Sequence, residues 1–592
     1  MEESKVDVLI IGAGPAGLMC ANALAHAKIP VRIIDKRPGD IPAGQADGIH
    51  ARTLEILQSY GLARRLIEES AEIHRAAFYI PSPKGGIERL RRMPAITAPS
   101  TARFPFTCTL HQGAIEAIFH DDMRPVGLEI DRPTIPTAIE LSEDEAELKD
   151  PQAYPVKVVL QHLDRNDTEV VRAKFILGAH SWVRKAMDIK MEGDMSDFIW
   201  GVVDINPDTD YPDVRNLAVI HSTEGSALLI PREGDLLRLY VQLADADVLD
   251  PETGRLDKTR ASPQKVLEMA KRILRPYRMD PIGDIRWWTM YVVGQRVAEK
   301  YSVRDRIFIA GDACHTHSPK AAGQGMNASM SDTHNLAWKL TYVLRGWADV
   351  SLLSTYEFER RKFAVDLINF DRQWAALFSS GKVKGSDETL HEMFRRNGQF
   401  TSGIGIRYAP SSIVQNAYQA CAANLIVGER MLPHDFICAS NARPLNIHDM
   451  LPSDMRFKVL AFVGDIKVET AAARIRQLSE QLEAPESFLQ RFGHGDSSAV
   501  FDVICVSSSS KKDVDWTDFP KVLRSHWSKV LLDDLDMHAR SGGGGFAAFG
   551  IDRELGAIVI VRPDGHVGLV APCDRVDIVN EYFASFMLPV TP

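Results

Sequence analysis

"VDVLIIGAGPAGLMCANALAHAKIPVRIIDKR", residues 6–37, is the part of the sequence that decides the fold. Its apolar runs and glycines predict a buried strand at 6–11, a glycine loop, a helix at 15–27 and a second strand at 30–35. This order is typical of the first unit of a doubly wound, Rossmann-like α/β domain. We therefore expect a parallel sheet with helices packed on it.

The loop of this unit has the G-x-G-x-x-G spacing of dinucleotide-binding proteins. Gly12 permits the tight turn, Gly14 lets a pyrophosphate approach the backbone, and Gly17 lets the helix pack on the strand. Asp35 ends the second strand, where a carboxylate would bind an adenosine ribose. The helix N-terminus faces the phosphates with its positive end. The pattern predicts an ADP-containing cofactor and leaves open whether that cofactor is NAD or FAD.

The composition is that of a large globular protein. A chain of 592 residues, with 45% hydrophobic and 25% charged residues, predicts two to four domains. The formal net charge of −10 and the lack of a basic stripe argue against a nucleic-acid partner. The seven cysteines are odd in number and never form C-x-x-C, which favours a reducing compartment. The glycines and the proline within 8–25 argue against a membrane span. We expect a cytoplasmic protein.

A second stretch, "GDACHTHSPKAAGQGMN" at 311–327, admits two interpretations. Cys314, His315 and His317 crowd together as metal ligands do. Alternatively, the glycines belong to a loop that follows a strand, and Asp312 lies at the strand edge where doubly wound sheets bind ligands. A helix beginning near Asn327 would point its positive end at the same place.

Together, the two stretches resemble the FAD-dependent aromatic hydroxylases, and within them the phenol 2-monooxygenase branch. The resemblance implies that Asp312 holds the flavin ribityl chain and that the loop ending at Asn327 wraps the isoalloxazine ring. A zinc site needs three or four converging ligands, so we expect no metal here. His315 and His317 are instead expected to shape the flavin loop.

Three further stretches match the same family and imply a substrate pocket. "GQADGIHARTLEILQSYGL" (44–62) carries Asp47, which the family places against the phenolic hydroxyl. "TLHQGAIEAIF" (109–119) carries Gln112, which matches a glutamine that contacts FAD. "PREGDLLRLYVQL" (231–243) reads as a strand on which Arg238 and Tyr240 share one face. Without the resemblance, Asp47 would be interpreted as a turn residue and Tyr240 as a half-buried strand aromatic.

The resemblance implies catalytic roles for Asp47, Arg238 and Tyr240, because a carboxylate, a tyrosine and an arginine favour the electron-rich phenolate. It also implies that NADPH reduces the flavin, that O2 gives a flavin C4a-hydroperoxide, and that the ring is attacked ortho to its hydroxyl. The residues expected to bind the cofactor are Gly12, Gly14, Pro15, Ala16, Gly17, Asp35, Lys36, Gln45, Gln112, Tyr240, Asp312, Gly323, Gln324, Gly325, Met326 and Asn327.

One stretch departs from the family. "AKFILGAHSWVRKAM" (173–187) resembles a second fingerprint in which an Asp-Gly pair precedes Ala-His-Ser-x-x-Arg. Here Gly178 is followed directly by Ala179. Relative to the family's pattern, about three residues are missing between the strand and its turn. The family uses that acid in FAD and NADPH binding, so its loss puts cofactor affinity in doubt. Arg184 remains and is a candidate contact for the cofactor phosphates.

The resemblance covers essentially the whole chain and implies three domains. The FAD-binding domain comprises 1–75, 106–190 and 291–426. It is interleaved with a β-sheet substrate domain at 76–105 and 191–290. A thioredoxin-like domain without C-x-x-C occupies 427–592, and Pro563-Asp564-Gly565 predicts a hairpin in it. A structural or dimer-contacting role, in a homodimer, is expected for this domain.

The function expected from the sequence is therefore NADPH-dependent, FAD-dependent ortho-hydroxylation of a phenol by O2. Within the class, a hydroxybenzoate hydroxylase or a secondary-metabolite tailoring enzyme is an alternative. Two alternatives belong to other functional classes: a catalytically impaired flavoprotein paralogue and a two-nucleotide dehydrogenase.

Overall fold

The structure of the 592-residue chain is a computed structural model that describes residues 3–96, 101–243, 248, 262–316, 323–380 and 390–590. None of the helices within these ranges has both the length and the apolar character needed to span a bilayer.

The first sheet has eight strands and contains the predicted strand–loop–helix–strand unit. Its centre is parallel, and Ile11 lies opposite both Gly178 and Ile34 in the register. Strands buried on both faces need continuous apolar runs, which Val8–Ile11 provides. The strands are Glu3–Ile11, Val31–Ile34, Ile130–Asp131, Thr134–Leu141, Val156–His162, Asp167–Gly178, Ser302–Val303 and Ile307–Ile309.

Helices cover this sheet. Pro15–His26 packs against both Gln112–Met123 and the long helix Gln324–Leu344. The long helix begins at Gln324, slightly before the predicted start near Asn327. The α-helices described before residue 402 are Pro15–His26, Ala51–Ser59, Ala63–Glu69, Gln112–Met123, Glu145–Lys149, Ser181–Ala186, Pro263–Ile273, Gln324–Leu344, Ser354–Ser380 and Leu390–Thr401.

A second sheet of eight strands is interleaved with the first along the chain. The helix Pro263–Ile273 covers one of its faces. On the strand Leu237–Leu243, the side chains of Leu237, Leu239 and Val241 face this helix, and Tyr240 faces the other way. The strands are Arg75–Pro81, Ile87–Pro94, Met191–Ile205, Leu217–Ser222, Gly225–Pro231, Leu237–Leu243, Trp287–Ala298 and His315–Thr316. Smaller sheets join Gly48–Ile49, Ala71–Ile73 and Thr107–Thr109, and Pro207–Thr209 with Met279–Pro281.

The C-terminal third forms a mixed sheet of seven strands, as expected for a thioredoxin-like fold. The two strands flanking Pro563-Asp564-Gly565 pair antiparallel, as the hairpin signal predicts. The strands are Asp435–Cys438, Pro444–Asn446, Phe457–Val463, Phe501–Ser507, Val530–Leu532, Ala557–Val561 and Val567–Pro572. The helices are Glu469–Glu483, Phe488–Arg491, Ser497–Val500, Gly545–Phe549 and Val576–Ala584. The domain boundaries given above stay a prediction.

Candidate active site

The N-terminal glycine loop borders a cavity of about 360 Å³. Gly12, Gly14, Asp35, Lys36 and Gln112 all line this cavity. A Cβ atom added to Gly14 would meet no described atom within 4 Å. The loop is therefore open on the side where a ligand would approach its backbone, as the fingerprint predicts.

The same loop is closed where the helix packs. A Cβ atom on Gly17 would lie 1.9 Å from the carbonyl oxygen of Gly12, so only glycine is accepted there. Pro15 is the first residue of the helix, a position at which its missing N–H costs nothing. Ala16 is buried, and a Cβ atom on Gly311 would lie 3.4 Å from that of Ala16. The two glycine-rich stretches of the sequence therefore meet.

Asp35 is already hydrogen-bonded within the protein. Its carboxylate accepts hydrogen bonds from the backbone N–H groups of Ala13 and Arg37, both at 2.8 Å, and from Arg37 Nε at 3.0 Å. Burial raises the pKa of Asp35, but the hydrogen bonds from Arg37 and Ala13 outweigh it and hold the pKa below its usual range. Gln112 Nε2 donates to Glu116 Oε1 at 2.7 Å. Both residues line the 360 Å³ cavity and have hydrogen-bond partners within the protein, and their role in cofactor binding stays a prediction.

The second glycine-rich stretch surrounds the start of the long helix. Asp312 is exposed in a short 3-10 turn directly after the strand Ile307–Ile309. Gln324 and Met326 are buried, and Gln324 Nε2 has no hydrogen-bond partner among the described residues. Asn327 donates to the carbonyl oxygens of Gly48 and Gly323 at 2.8 and 2.9 Å. The asparagine thereby ties the loop that follows Asp47 to the flavin loop.

The residues first considered as metal ligands have other surroundings. His315 Nε2 lies 2.9 Å from Asp332 Oδ2, which also accepts the N–H of Gly311 at 3.1 Å. Cys314 is fully buried. His317 lies outside the described residues.

Asp47 belongs to a buried cluster of four charged side chains. Its Oδ2 lies 3.1 Å from Arg238 Nη1 and 3.3 Å from Arg232 Nη1. Arg238 donates to both oxygens of Asp204 at 2.7 and 2.8 Å, and to the carbonyl oxygen of Gln45 at 2.6 Å. Arg232 Nη1 also donates to Asp204 Oδ2 at 3.2 Å. Arg232 also donates to both oxygens of the partly buried Glu233, at 3.0 and 2.9 Å, so the two guanidinium groups are shared among three carboxylates. Gln45 is exposed, and only its carbonyl group is shown to take part.

Tyr240 lies beside this cluster on the face predicted from the alternation of its strand. The Arg238 guanidinium carbon is 6.0 Å from the centre of the Tyr240 ring. Burial, followed by the charge of Asp47, raises the pKa of Tyr240 well above its usual value, although Arg238 opposes the change. The phenol of Tyr240 is therefore a neutral hydroxyl group at physiological pH.

Asp47 and Tyr240 line a second cavity of about 90 Å³ together with Gly323 of the flavin loop. The wall is largely apolar, and its polar members besides these are threonines, Ser402 and His50. The described lining residues are Asp47, Gly48, His50, Ile73, Ala95, Ile96, Thr107, Cys108, Thr109, Leu217, Val219, Leu228, Ile230, Tyr240, Gly323, Phe394, Gly398, Thr401 and Ser402. No arginine or lysine occurs among them.

Several residues of this site were missed in the sequence. Asp204 lies directly opposite Arg238 in the antiparallel register, and an acid in the apolar run "WGVVDI" was a signal that could have found it. Arg232 lies in the stretch 231–243, from which only Arg238 and Tyr240 were singled out. His50 donates its backbone N–H to Asn327 at 2.9 Å, and no local pattern marks it. Burial raises the pKa of Tyr291, and the charges that act on it include those of Arg238 and Asp47.

The shortened turn after Gly178 is well formed. Ala179 donates its N–H to the carbonyl oxygen of Ile11 at 2.9 Å, and the helix Ser181–Ala186 follows at once. Arg184 Nη1 donates to the carbonyl oxygen of Ile189 at 3.1 Å. Arg184 is not among the described residues that line the 360 Å³ cavity.

Comparison with known proteins shows the family of the chain. Residues 5–371 match the family model of an FAD binding domain, and residues 406–591 match that of the phenol hydroxylase C-terminal dimerisation domain. The chain is 34% identical to phenol 2-monooxygenase fsqG of Aspergillus fumigatus, over 98% of this chain and 96% of that protein. It is 35% identical to 3-hydroxybenzoate 4-monooxygenase of Comamonas testosteroni, over 99% of this chain and 95% of that protein.

Among solved structures, aklavinone-11 hydroxylase in complex with FAD and aklavinone matches with a TM-score of 0.71. It covers 99% of both chains at 21% sequence identity, which shows that the fold is shared. The open glycine loop and these matches lead to one conclusion. The chain is an enzyme of the FAD-dependent aromatic monooxygenase family, with the C-terminal domain of the phenol hydroxylases.

Proposed function

We propose that the enzyme hydroxylates a phenol at the carbon ortho to its hydroxyl group, using NADPH and O2. The observation that carries the proposal is the 90 Å³ cavity, which has Asp47 and Tyr240 in its wall and apolar side chains around most of the rest. A phenol matches this wall, because its hydroxyl group can face Asp47 and Tyr240 while its apolar ring faces the apolar side chains. The use of NADPH rests on the family resemblance.

The residues present fit FAD. The open side of Gly14 leaves room for a diphosphate. Gln324 Nε2, which has no hydrogen-bond partner among the described residues, offers a buried donor at the start of the long helix. The residues proposed to hold the cofactor are Gly12, Gly14, Pro15, Ala16, Gly17, Asp35, Lys36, Gln45, Gln112, Tyr240, Asp312, Gly323, Gln324, Gly325, Met326 and Asn327. When bound, the flavin supplies the redox chemistry that activates O2.

The protein side chains handle the phenolic proton and its charge. Asp47 is the proposed acceptor of the phenolic proton, because it is the only described carboxylate in the cavity wall. Tyr240, as a neutral hydroxyl, donates a hydrogen bond to the phenolate oxygen. Arg238 and Arg232 lie within 3.3 Å of Asp47 and stabilise the negative charge that remains in the buried site.

The cavity wall favours a single ring with apolar substituents. With the hydroxyl group at Asp47 and Tyr240, the rest of the ring lies against Leu217, Val219 and Leu228. A carboxylate on that ring would be buried without an arginine or lysine among the described lining residues, at a cost of several kcal/mol. A volume of about 90 Å³ also disfavours fused rings. A hydroxybenzoate or a polycyclic secondary metabolite is therefore the weaker candidate.

The proposal is tested with a panel of phenols and the purified FAD-loaded enzyme. We expect NADPH oxidation with formation of the catechol from phenol and 3-methylphenol. For 3-hydroxybenzoate and 1-naphthol, kcat/KM should be lower by about 100-fold or more, because a buried charge or a second ring is not accommodated. Preference for 3-hydroxybenzoate over 3-methylphenol would contradict the proposed substrate class.

Two further properties belong to the proposal. The dimerisation-domain match at 406–591 supports a homodimer, which light scattering on the purified protein would test. The cysteine usage supports a cytoplasmic location. The proposed domains remain those predicted from the sequence, with the FAD-binding and substrate domains interleaved before residue 427.

A further inference from the structure

The 90 Å³ cavity lies between one face of the second sheet and the helix Leu390–Thr401. Four side chains from paired strands form a row across this face: Phe78, Val219, Leu228 and Tyr240. Tyr240 lies at one end of the row and Phe78 at the other, three strand spacings or about 14 Å apart. A substrate whose hydroxyl group meets Tyr240 therefore extends along Leu228 and Val219.

Phe394 closes the end of the cavity that is remote from Tyr240. Its side chain lines the cavity and is buried, with 7% of its surface exposed. Its ring meets the ring of Phe78 edge to face, with 5.7 Å between the two ring centres. Phe78 itself is not among the described residues that line the cavity. The ring of Phe394 is therefore the surface that a substrate reaches at this end.

The helix Leu390–Thr401 presents one face to the cavity. Phe394, Gly398 and Thr401 are four and three residues apart, which places them on the same side of an α-helix, and all three line the cavity. Gly398 adds no side chain to this face, whereas Phe394 adds a whole ring. The helix lies between the two family-model matches, which end at residue 371 and begin again at residue 406. Neither family model therefore includes this wall.

We propose that Phe394 determines the substrate specificity of the enzyme by limiting how far a phenol can extend from its hydroxyl group. The inference rests on the proposed function and adds the wall that selects among phenols. With the hydroxyl group at Tyr240, a substituent para to it points along the row toward Phe394. A single ring fits between the two aromatic side chains, and a long para chain collides with the Phe394 ring.

Two substitutions change this wall in opposite directions. Phe394→Ala removes the ring and leaves a cavity of the kind that can hold an apolar group. Gly398→Ala adds a methyl group to the same helix face, and a change from glycine to alanine within a helix favours folding. Met393→Ala is the matched control, because Met393 is the adjacent residue and is 1% exposed, but does not occur among the described lining residues.

The FAD-loaded wild type and variants are assayed for catechol formation from phenol, 4-methylphenol and 4-propylphenol. We expect kcat/KM for 4-propylphenol, relative to phenol, to rise about tenfold or more in Phe394→Ala and to change less than about threefold in Met393→Ala. In Gly398→Ala, kcat/KM for 4-methylphenol relative to phenol should fall about tenfold, because the added methyl group takes the space of the substituent.

An unchanged ratio in Phe394→Ala, or an equal rise in Met393→Ala, would overturn the proposal. If Phe394→Ala does not fold, Gly398→Ala decides, and an unchanged ratio there would overturn it as well. A wild-type enzyme that accepts 4-propylphenol as readily as phenol would also refute the role of Phe394, while leaving the proposed function intact. A wild-type enzyme that forms no catechol from any of the three phenols would overturn both the proposed function and this inference.

Discussion

At the scale of single residues, Asp204 accounts for the position of Arg238 beside the proposed substrate site. Asp204 lies opposite Arg238 on the neighbouring strand and holds its guanidinium group by two hydrogen bonds of 2.7 and 2.8 Å. This pairing orients Arg238 so that Nη1 is left for Asp47 and the Gln45 carbonyl. A buried guanidinium without such a partner would cost several kcal/mol. The position of Asp47 therefore depends on a residue outside the cavity wall.

Tyr240→Phe tests the role of the neutral hydroxyl at the same scale. We expect kcat/KM for phenol to fall about 100-fold, because the hydrogen bond to the phenolate oxygen is removed. The proteins are compared at saturating FAD, because Tyr240 is also among the residues proposed to hold the cofactor. Steady-state catechol formation measures the effect. Tyr211→Phe is the control, because Tyr211 is a buried tyrosine packed on the opposite face of the same sheet. Wild-type kcat/KM in Tyr240→Phe would exclude the proposed role.

At the scale of elements, the glycine loop and the helix after it make opposite demands on side-chain size. A Cβ atom on Gly14 meets no described atom within 4 Å, whereas a Cβ atom on Gly17 lies 1.9 Å from the oxygen of Gly12. Gly14 therefore leaves space for a ligand beside the backbone, and Gly17 allows the helix to pack closely on the strand.

A pair of alanine substitutions follows from this difference. Gly14→Ala should fold with a Tm within about 3 °C of the apo wild type, but bind FAD about 100-fold more weakly because the methyl group occupies the diphosphate site. Gly17→Ala should fail to fold, because the backbone clash cannot relax. Thermal denaturation and FAD titration measure the two effects. Unchanged FAD affinity in Gly14→Ala would show that the cofactor does not use this loop.

These elements also show what could be read from the sequence. The strand–loop–helix unit and the common face of Arg238 and Tyr240 depend on local periods of 3.6 and 2 residues, so both were predictable. The acid in the apolar run at 200–205 marks Asp204 as unusual, but its partner Arg238 lies on another strand, which no local pattern encodes. His50 reaches the site through a loop contact with Asn327, far away in the sequence. Similarly, the hydrogen bonds of Asp35 to Ala13 and Arg37 became visible only once the loop was folded.

At the scale of the whole molecule, the C-terminal hairpin is inserted between helices of the FAD-binding part. Arg562 forms an ion pair with Glu359 at 2.5 Å, and both side chains are fully buried. The carbonyl oxygen of Asp564 accepts a hydrogen bond from Arg52 at 2.9 Å. Removing one member of such a pair leaves a buried charge and costs about 3–5 kcal/mol. The C-terminal domain is thus integral to the fold of the enzyme.

Three histidines are buried where the C-terminal domain meets the FAD-binding part, and they predict that the stability of the fold depends on pH. Burial lowers the pKa of His334 and of His448 to about 4 and that of His566 to about 3. The unfolded chain binds these protons below about pH 6.5, and the folded chain does not, so stability falls as the pH decreases from 6.5 toward 4. At pH 5 the loss is about 2 kcal/mol per imidazole.

Thermal denaturation between pH 7.5 and 5 checks this dependence. In His448→Gln, whose amide can replace the hydrogen bond to the Met431 carbonyl, the decrease in Tm should be about one third smaller than in wild type. Equal Tm values at pH 7 and pH 5 in the wild type would contradict the assignment of these imidazoles as neutral in the folded state.

The most direct test of the central claim is isotope incorporation. The FAD-loaded enzyme is incubated with phenol, NADPH and oxygen-18 gas, and the product is analysed by mass spectrometry. We predict catechol that carries one atom of oxygen-18, formed only when NADPH is present. Oxidation of NADPH to give hydrogen peroxide without labelled catechol, for phenol and 3-methylphenol alike, would contradict the assignment of this enzyme as a phenol hydroxylase.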